Sequence, residues 1–515
     1  MREDVTLLLS QGYLVEQEVA QLLRDIFSEI PMTNLLLKFN PPKLITKNLI
    51  YKNIFEIVGN LESGNFGKVD KNQMERIKAY FSIEVKKEIE EKPARTIQFD
   101  RRRNAIVIDS HEFPAKKITV EDFVQYFRDR YFVLKNCLQE RDLVGLSSIG
   151  KISNQRRILS VIGLVYDIRY TKNKNMLIEL EDMTSRIPII IHKDKTELFE
   201  KAQNIVLDEV IAVTGAGSRE IMFANDVIFP NLAKEKKFSP KEELVAFTAD
   251  IHIGSAKFLE QNFLKFIDWL NGNVGSEHQR EIAKKIKYLF IVGDTVDGVG
   301  VYPKQEKELL IKDVREQYKL LAEYLGRIRK DVTIIMCAGG KHDAVRQIEP
   351  QPKISKEFAP ELHQMDNVLL TVNPSVIRIG QTKDFQGFDV LMYHGDSFDY
   401  YGDAVDSLRL NNAKFKPDMI SHFLLNKRHL APSHTSTTYY PSEKDYLVLR
   451  IIPDIFVTGH IHKSAVSHYN NILTISCSCW QSKTAYQEKF GHEPDPCKVP
   501  ILNLKTGKVN IMDFS

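Results

Sequence analysis

Five short segments of the sequence place histidine or aspartate immediately after an apolar run. They read DIHIG at 250–254, GDTVDG at 293–298, GGKHD at 339–343, HGD at 394–396 and GHIH at 459–462. Apolar runs that end in polar, glycine-bearing turns are typical of buried strands whose carboxyl ends form a site in layered α/β folds. One Asp-x-His turn is more often structural than functional, but five such turns in order are hard to explain as core histidines.

The chemistry that these residue types favour is metal binding. Ionisable side chains at buried strand ends are costly unless they are paired or bound to a metal ion. The candidate ligands are Asp250, His252, Asp294, His394, His460 and His462. Mixed imidazole and carboxylate ligands suit manganese, iron or zinc better than magnesium or calcium. Because the set exceeds the needs of one ion, it indicates two divalent ions, which can clamp a phosphorus centre and generate hydroxide from water.

The order and spacing of these segments resemble those of the calcineurin-like metallophosphoesterases over residues 240–515. The resemblance implies a β-sandwich flanked by helices. It further implies the division of the ligands, with Asp294 bridging the two ions. The first ion would be held by Asp250, His252, Asp294 and His462, and the second by Asp294, His394 and His460.

The resemblance also assigns roles to residues beside the ligands. His342 would protonate the leaving oxygen or stabilise the transition state, and Asp343 would set the orientation and pKa of its ring. Asp297, Asp396 and Asp399 fit roles behind the ligands, where they would fix imidazole tautomers. A turn-forming or helix-capping role explains these three aspartates equally well.

Lys341 departs from the family pattern, which has asparagine at this position as a ligand of the second metal ion. A lysine ammonium has three donors and no acceptor, so it cannot bind a metal ion while charged. Three consequences are open. Lys341 swings out and leaves a weaker second site, replaces the second ion as a fixed positive charge, or marks a nuclease that has lost activity.

A closer resemblance comes from the order of a helical region, a β-barrel and a phosphoesterase. It is to the small subunits of archaeal family D DNA polymerases and, more distantly, to the B subunits of eukaryotic replicative polymerases. The segments that carry it are NDVIFPN at 225–231, NKRHLAPSH at 426–434, VLRIIPDIFVTGHIHKS at 448–464 and CWQSKTAYQEKFGHEPDPCKVPILNLKTGKV at 479–509. The first ~150 residues add little to it.

The rest of the chain predicts a multidomain α/β protein with an added β-barrel. Residues 1–80 have apolar residues at three- and four-residue spacing and predict a helical N-terminal module, followed by a mixed connecting region at 81–150. Short alternating segments at 151–235, with a helix-like insert between the third and fourth, predict an OB-fold. Because these strands carry few aromatic residues, nucleic-acid contact and a packing role are both open for this module.

Composition excludes several classes of protein. The 515 residues are 43% hydrophobic and 27% charged, and the net charge of +3 gives no global argument for nucleic-acid binding. No apolar run approaches the ~18 residues that span a membrane, and the N-terminus lacks the features of a signal peptide. The five cysteines include no CxxC pair, which favours reduced core thiols. These features predict a soluble cytoplasmic protein without a membrane partner.

The polymerase resemblance implies a function. The chain would be a manganese-stimulated 3′–5′ exonuclease that proofreads, within a heterodimer, for a large catalytic subunit. It would act on single-stranded or mispaired 3′ ends of DNA, near the archaeal nucleoid, with two divalent ions, the second of them in question because of Lys341. The competing hypothesis is a scaffold, silenced by Lys341, that organises the large subunit. A stand-alone phosphoesterase for small molecules is a third, which the barrel and the closing segment disfavour.

Overall fold

The computed structural model describes residues 3–27, 32, 36–37, 43–46, 50, 98–100, 105–111 and 116–515. The chain divides into two compact units, residues 1–95 and residues 96–515. The described elements of the first unit are α1 Glu3–Ser10, β1 Leu14–Val15, α2 Gln17–Asp25 and β2 Leu44–Ile45, with β1 and β2 parallel. The end of the predicted 1–80 module and the start of the 81–150 region lie outside the described residues.

The second unit begins its regular structure with two short strands, a long helix and a closed barrel. These elements are β3 Gln98–Asp100, β4 Ala105–Asp109, α3 Val120–Gln139, β5 Arg157–Tyr170, β6 Met176–Glu181, β7 Arg186–Ile191, α4 Thr196–Ala202, β8 Val210–Gly217 and β9 Met222–Ile228. The barrel closes in the order β5-β6-β7-β9-β8, in which only β7 and β9 pair in parallel. Alternate side chains of its strands point inward, so that the barrel has its own apolar core.

The remaining strands form two sheets. They are β10 Leu244–Thr248, β11 Ile286–Val292, β12 Thr333–Cys337, β13 Val368–Thr371, β14 Ser375–Ile379, β15 Phe388–Met392, β16 Ile455–Thr458, β17 Ala465–Tyr469, β18 Ile472–Ser476, β19 Lys498–Asn503 and β20 Val509–Asp513. One sheet has the order β13-β12-β11-β10-β19-β20 and the other the order β17-β18-β16-β15-β14-β4-β3. Strand β4 pairs with β14 and so joins a sheet of the C-terminal region, a position that no pattern in the sequence predicted.

The two sheets face each other across a shared core and are covered on the outside by helices. Phe247 of β10 stacks on Phe290 of β11 with ring centroids 5.4 Å apart, and Val390 and Val457 of the opposite sheet belong to the same buried cluster. The covering helices are α5 Glu260–Leu270, α6 Glu277–Lys284, α7 Val314–Gly326, α8 Pro360–Gln364, α9 Phe398–Ala404, α10 Asp406–Leu410, α11 Pro417–Lys427 and α12 Ala485–Phe490. The mixed α/β architecture with a five-stranded barrel, predicted from the sequence, is confirmed.

Helix α3 fastens the barrel to the two-sheet region. Its N-terminus is fixed by a capping box between Thr119 and Asp122, and its apolar face packs on barrel strands through Tyr131, Leu134 and Leu138. No helix within the described residues has both the length and the apolar character needed to cross a membrane.

One charged side chain of α3 is completely buried at this junction. Arg130 donates from Nε to Asp445 at 2.7 Å and from Nη1 to the main-chain oxygen of Asp208 at 3.0 Å, which lies in a loop of the barrel. Asp445 also accepts a hydrogen bond from His429 at 2.8 Å. Although burial opposes ionisation, the guanidinium of Arg130 holds the pKa of Asp445 well below its usual range, so the pair is ionic. Removing either partner of such a pair leaves an uncompensated buried charge, which destabilises the fold.

We therefore expect Arg130→Leu to destabilise the second unit strongly. The substitution leaves the Asp445 carboxylate buried without its cation, and we expect a loss of about 3–5 kcal/mol of unfolding free energy. Urea unfolding followed by tryptophan fluorescence measures this loss, because Trp269 and Trp480 both lie in the second unit. Arg128→Leu, at an exposed position of the same helix, is the matched control. Equal stability of the two variants would contradict the role of Arg130.

Candidate metal centre

Strand ends from both sheets position the candidate ligands, which follow the last residue of the strand in each case. Strand β10 leads to Asp250 and His252, and β11 leads to Asp294. In the opposite sheet, β15 leads to His394 and β16 to the turn that contains His460 and His462. Strands β10, β11 and β12 are parallel neighbours, as are β15 and β16, so the carboxyl ends of each set lie together. The two sheets bring these ends into one cluster.

The backbone is strained where it delivers the ligands. Asp250, His252, Asp294, His460 and His462 have φ angles of 51°, 54°, 48°, 69° and 57°, in the left-handed region that residues with a Cβ rarely adopt. Strain of this kind costs about 1–3 kcal/mol per residue and concentrates at functional sites. Strands β10 and β16, all of whose residues are buried, hold the turns in place.

His394 has a free, buried ring nitrogen. Its Nδ1 donates to the main-chain oxygen of Val292 at 2.8 Å, so Nε2 is the ring nitrogen left for a metal ion. That nitrogen has no hydrogen-bond partner although the residue is completely buried, and the Oδ1 atom of Asp294 is likewise buried without a partner. Buried polar atoms are nearly always paired. Two such unpaired atoms on neighbouring residues are the arrangement expected of ligands for a cation.

The imidazole rings of His252 and His462 point their Nε2 atoms toward each other. Their Nε2 atoms lie 3.3 Å apart, while Nδ1 of His252 donates to Asp297 at 3.0 Å. The Nε2 atom of His462 is also 3.2 Å from Oδ1 of Asp250. A carboxylate behind an imidazole fixes the tautomer that presents Nε2 to a metal ion. Asp250, His252 and His462 form one of the groups whose donor atoms could hold an ion.

Asp294 lies between the two sets of imidazoles. Its Oδ2 atom is 3.4 Å from Nε2 of His394 and 4.0 Å from Nε2 of His252. Burial opposes its ionisation, but the neighbouring imidazoles of His394 and His342 hold its pKa well below its usual range. The carboxylate is therefore negative, and its position fits a ligand shared by two cations.

His460 belongs to the second set. Its Nε2 atom lies 3.1 Å from Asp399, which leaves Nδ1 available for a metal ion. Burial lowers the pKa of His460, but Asp399 more than offsets this and raises it above the usual value. In turn, burial works against ionisation of Asp399, while His460 lowers the pKa of this carboxyl to about 2. Asp297 and Asp399 thus each touch an imidazole ring, the contact that the sequence interpretation gave them.

The turn after β12 presents His342 to the same cluster. Nδ1 of His342 donates to the main-chain oxygen of Asp297 at 2.7 Å, and its ring lies 4.8 Å from that of His252. The sequence interpretation expected Asp343 to orient this ring. The buried Asp343 carboxylate instead accepts hydrogen bonds from the main chain of Thr295 at 3.0 Å and of Gly339 at 2.7 Å. It ties the β12 turn to the β11 turn.

Lys341 and Asp396 stand at the opening of the site. Lys341 is exposed, whereas Asp396 is half-buried and accepts a hydrogen bond from Nε2 of Gln351 at 2.6 Å. Behind Asp396 lies Glu349, whose pKa is raised well above its usual range by burial and by the charge of Asp396.

The cluster opens to solvent through a cleft of about 300 Å³. Its walls come from the strand-end turns, from Asp399, and from residues at 301–302, 347 and 481–492. The residues that line it are His252, Asp294, Asp297, Val301, Tyr302, Gly339, Lys341, His342, Gln347, Asp396, Asp399, His460, His462, Gln481, Thr484, Gln487 and His492. The structure thus brings together all of the candidate residues, apart from the buried Asp250, Asp343 and His394, on the wall of one opening.

Sequence reasoning did not identify the amide side chains that support the site. Gln481 donates to Asp297 at 3.1 Å, Gln305 donates to the same carboxylate at 3.0 Å, and the amide nitrogen of Gln487 lies 3.0 Å from Nδ1 of His462. These glutamines follow no apolar run and have no spacing in common. Gly459 was named from the sequence only as part of the GHIH motif. In the structure, a Cβ at this position would lie 2.7 Å from Oδ2 of Asp250, so the ligand turn has no room for a side chain there.

Comparison with known proteins bears on this centre directly. Residues 245–467 match the family of DNA polymerase alpha/epsilon B subunits, a range that includes every candidate ligand. The chain is 38% identical over 467 residues to the DNA polymerase II small subunit of Methanothermobacter thermautotrophicus, covering 89% of this chain and 93% of that one.

Two further archaeal relatives have the same name. The chain is 38% identical over 393 residues to the DNA polymerase II small subunit of Methanocaldococcus jannaschii, covering 75% of this chain and 64% of the relative. It is 35% identical over 408 residues to that of Pyrococcus furiosus, covering 78% and 64%. It thus spans less than two thirds of these two relatives. The resemblance found in the sequence is confirmed, and the chain belongs to the family of small subunits of the archaeal family D polymerase, DNA polymerase II.

Proposed function

We propose that the chain is a metal-dependent 3′–5′ exonuclease that removes nucleotides from DNA for a large catalytic polymerase subunit. The observation that carries the proposal is the pair of buried, unpaired polar atoms on His394 and Asp294 beside the facing Nε2 atoms of His252 and His462. Scaffold subunits need no such atoms, because a protein that only binds a partner gains nothing from unpaired buried polar atoms. The relatives' names supply the partner and the context of DNA synthesis.

The residues present fit two divalent ions. As the resemblance implies, Asp250, His252, Asp294 and His462 would hold the first, and Asp294, His394 and His460 the second. Two groups whose donor atoms lie within 4.8 Å of one another support this division, Asp250 with His252 and His462 and Asp250 with Asp294 and His394. Manganese is among the ions that such a mixed donor set suits. Ions held there would polarise a phosphodiester and lower the pKa of a water molecule.

The protein's own groups would position and protonate the substrate. His342 has Nδ1 committed to the Asp297 carbonyl, so Nε2 is the nitrogen left to donate a proton or a hydrogen bond to the departing 3′ oxygen. Asp343 fixes the turn that carries this histidine, through Thr295 and Gly339. The cleft, lined by His342 and Lys341, gives a DNA end access to these groups.

We also infer the families of the two folds in the second unit. A closed barrel with a helix between its third and fourth strands and a parallel pairing of third and fifth strands supports an OB-fold within 151–235. Two facing sheets with helices outside and ligands at the strand ends support a calcineurin-like phosphoesterase within 240–515. On this account residues 1–80 and 81–150 are a helical module and a connecting region, and the large subunit docks on the barrel and phosphoesterase surfaces.

The alternative function is a scaffold in which Lys341 has silenced the nuclease. The exposed position of Lys341 favours activity, because its ammonium remains in water rather than among the ligands. The wild-type chain in its complex, supplied with Mn²⁺ and a single-stranded DNA end, distinguishes the two functions. Release of nucleotides from the 3′ end supports the nuclease, and complete inactivity supports the scaffold.

His342→Ala tests the assigned chemistry. Loss of the proton donor should lower the rate of cleavage about 100-fold or more, while the bound manganese stays unchanged because His342 is not among the ligands. Nucleotide release and elemental analysis of the same preparation measure both quantities. His278→Ala, at an exposed position of helix α6, is the control and should leave both unchanged. Loss of manganese from the His342 variant would contradict its role.

The histidine pKa values of the site predict a pH dependence of metal binding. Burial lowers the pKa of His394, but Asp294 outweighs it and raises the pKa well above its usual value of 6.5. The pKa of His460 is shifted in the same direction by Asp399, against the effect of burial. Both rings therefore keep a proton at pH values above 6.5 in the metal-free chain, and a metal ion must displace it.

We thus expect the affinity for Mn²⁺ to rise with pH above 6.5, and binding to release protons. Calorimetric titration in two buffers of different ionisation enthalpy counts the released protons. The two buffers should give different apparent enthalpies. Identical enthalpies, with an affinity that does not change with pH, would show that these rings are not the ligands.

A further inference from the structure

The second metal position lacks one neutral ligand, because Lys341 stands where the resemblance implies an asparagine. We propose that Asp396 supplies the missing oxygen ligand to the second ion. The inference rests on the proposed function and adds a ligand that the sequence interpretation placed behind the metal centre. It concerns how this chain retains a second ion beside a lysine.

The donor atoms are close enough. One nitrogen each from His394 and His460 and one carboxylate oxygen of Asp396 lie within 4.8 Å of one another. The same is true of the group formed by Asp250, Asp294 and His394. His394 is common to both groups, so Asp294 and Asp396 each place a carboxylate oxygen within 4.8 Å of a nitrogen of His394.

The carboxylate of Asp396 is also beside the turn from which an asparagine at 341 would act. A Cβ built on Gly340, the residue before Lys341, would lie 4.0 Å from Oδ1 of Asp396 and 3.2 Å from Nε2 of Gln351. Gln351 donates to Oδ2 at 2.6 Å, which fixes the carboxylate. Asp396 therefore offers an oxygen close to the position left by the missing amide.

The contacts of Asp396 differ from those of carboxylates that support a ligand. Asp297 lies 3.0 Å from a ring nitrogen of His252, and Asp399 lies 3.1 Å from one of His460. The hydrogen bond to Asp396 comes instead from an amide. A carboxylate that fixes a tautomer must touch the imidazole, so Asp396 does not share their role.

The charges of Lys341 and Asp396 offset each other near the second ion. An asparagine is neutral, and its replacement by Lys341 adds one positive charge near a dication, which weakens binding. If the carboxylate of Asp396 takes over as ligand, it contributes one negative charge to the ion. The negative charge of an Asp396 ligand would thus offset the positive charge that Lys341 brings near the ion.

The test counts the metal ions. The whole 515-residue chain and its Asp396→Ala variant are each loaded with Mn²⁺, freed of excess metal and analysed for manganese per chain. We expect two ions in the wild type and one in the variant, with the second site weakened about 10-fold or more. An exchange-coupled manganese signal in electron paramagnetic resonance should be present in the wild type and lost in the variant. Asp403→Ala, which removes an exposed carboxylate paired with Lys414, is the control and should retain both.

A double variant controls for the possibility that the single variant loses metal because it misfolds. In the double variant Lys341→Asn/Asp396→Ala, the amide at 341 should restore the second ion and the coupled signal. Two ions in Asp396→Ala with unchanged affinity would overturn the inference. One ion in the wild type would overturn it as well, while nuclease activity with that single ion would leave the proposed function standing. A wild type that binds no manganese would contradict the proposed function itself.

Discussion

A buried carboxylate, that of Asp294, connects the two sheets of this protein at the candidate metal centre. Asp294 follows β11 of one sheet, and its Oδ2 atom lies 3.4 Å from His394, which follows β15 of the other. Its second oxygen is buried and has no hydrogen-bond partner. An uncompensated charge in such a place costs several kcal/mol, so the arrangement is stable only with cations around it. The imidazoles that surround Asp294 serve that purpose as imidazolium ions or as ligands of bound metal.

The fold is organised to maintain this contact. Five ligand positions have positive φ angles, and a Cβ on Gly459 would lie 2.7 Å from Asp250. The shared core between the sheets fixes the strands that lead to these turns. Arg130 is buried between the barrel and the two-sheet region. Its hydrogen bonds to Asp445 and to the main-chain oxygen of Asp208 hold these two regions together. The energy of packing thus stabilises strained turns that would not form in isolation.

Much of this organisation could be predicted from the sequence. Strands such as LVAFT at 244–248 and IFVT at 455–458 are continuous apolar runs, and the ligand turns follow them directly. Positions that depend on contacts distant in sequence could not be predicted. The pairing of β4 with β14 and the contact of Arg130 with Asp445 join segments hundreds of residues apart, and no local pattern marks them. Asp343 was assigned by motif to His342, but its carboxylate accepts hydrogen bonds from the backbone of Thr295 and Gly339 and from the hydroxyl of Tyr318.

On the proposed function, Asp294 would be a ligand of two cations. Anomalous scattering at the manganese edge, from crystals grown with Mn²⁺, locates each ion without reference to activity. We expect two peaks on either side of Asp294, one beside His252 and His462 and the other beside His394 and His460. The absence of any peak at Asp294, or a single peak that touches only one of the two histidine pairs, would contradict this expectation.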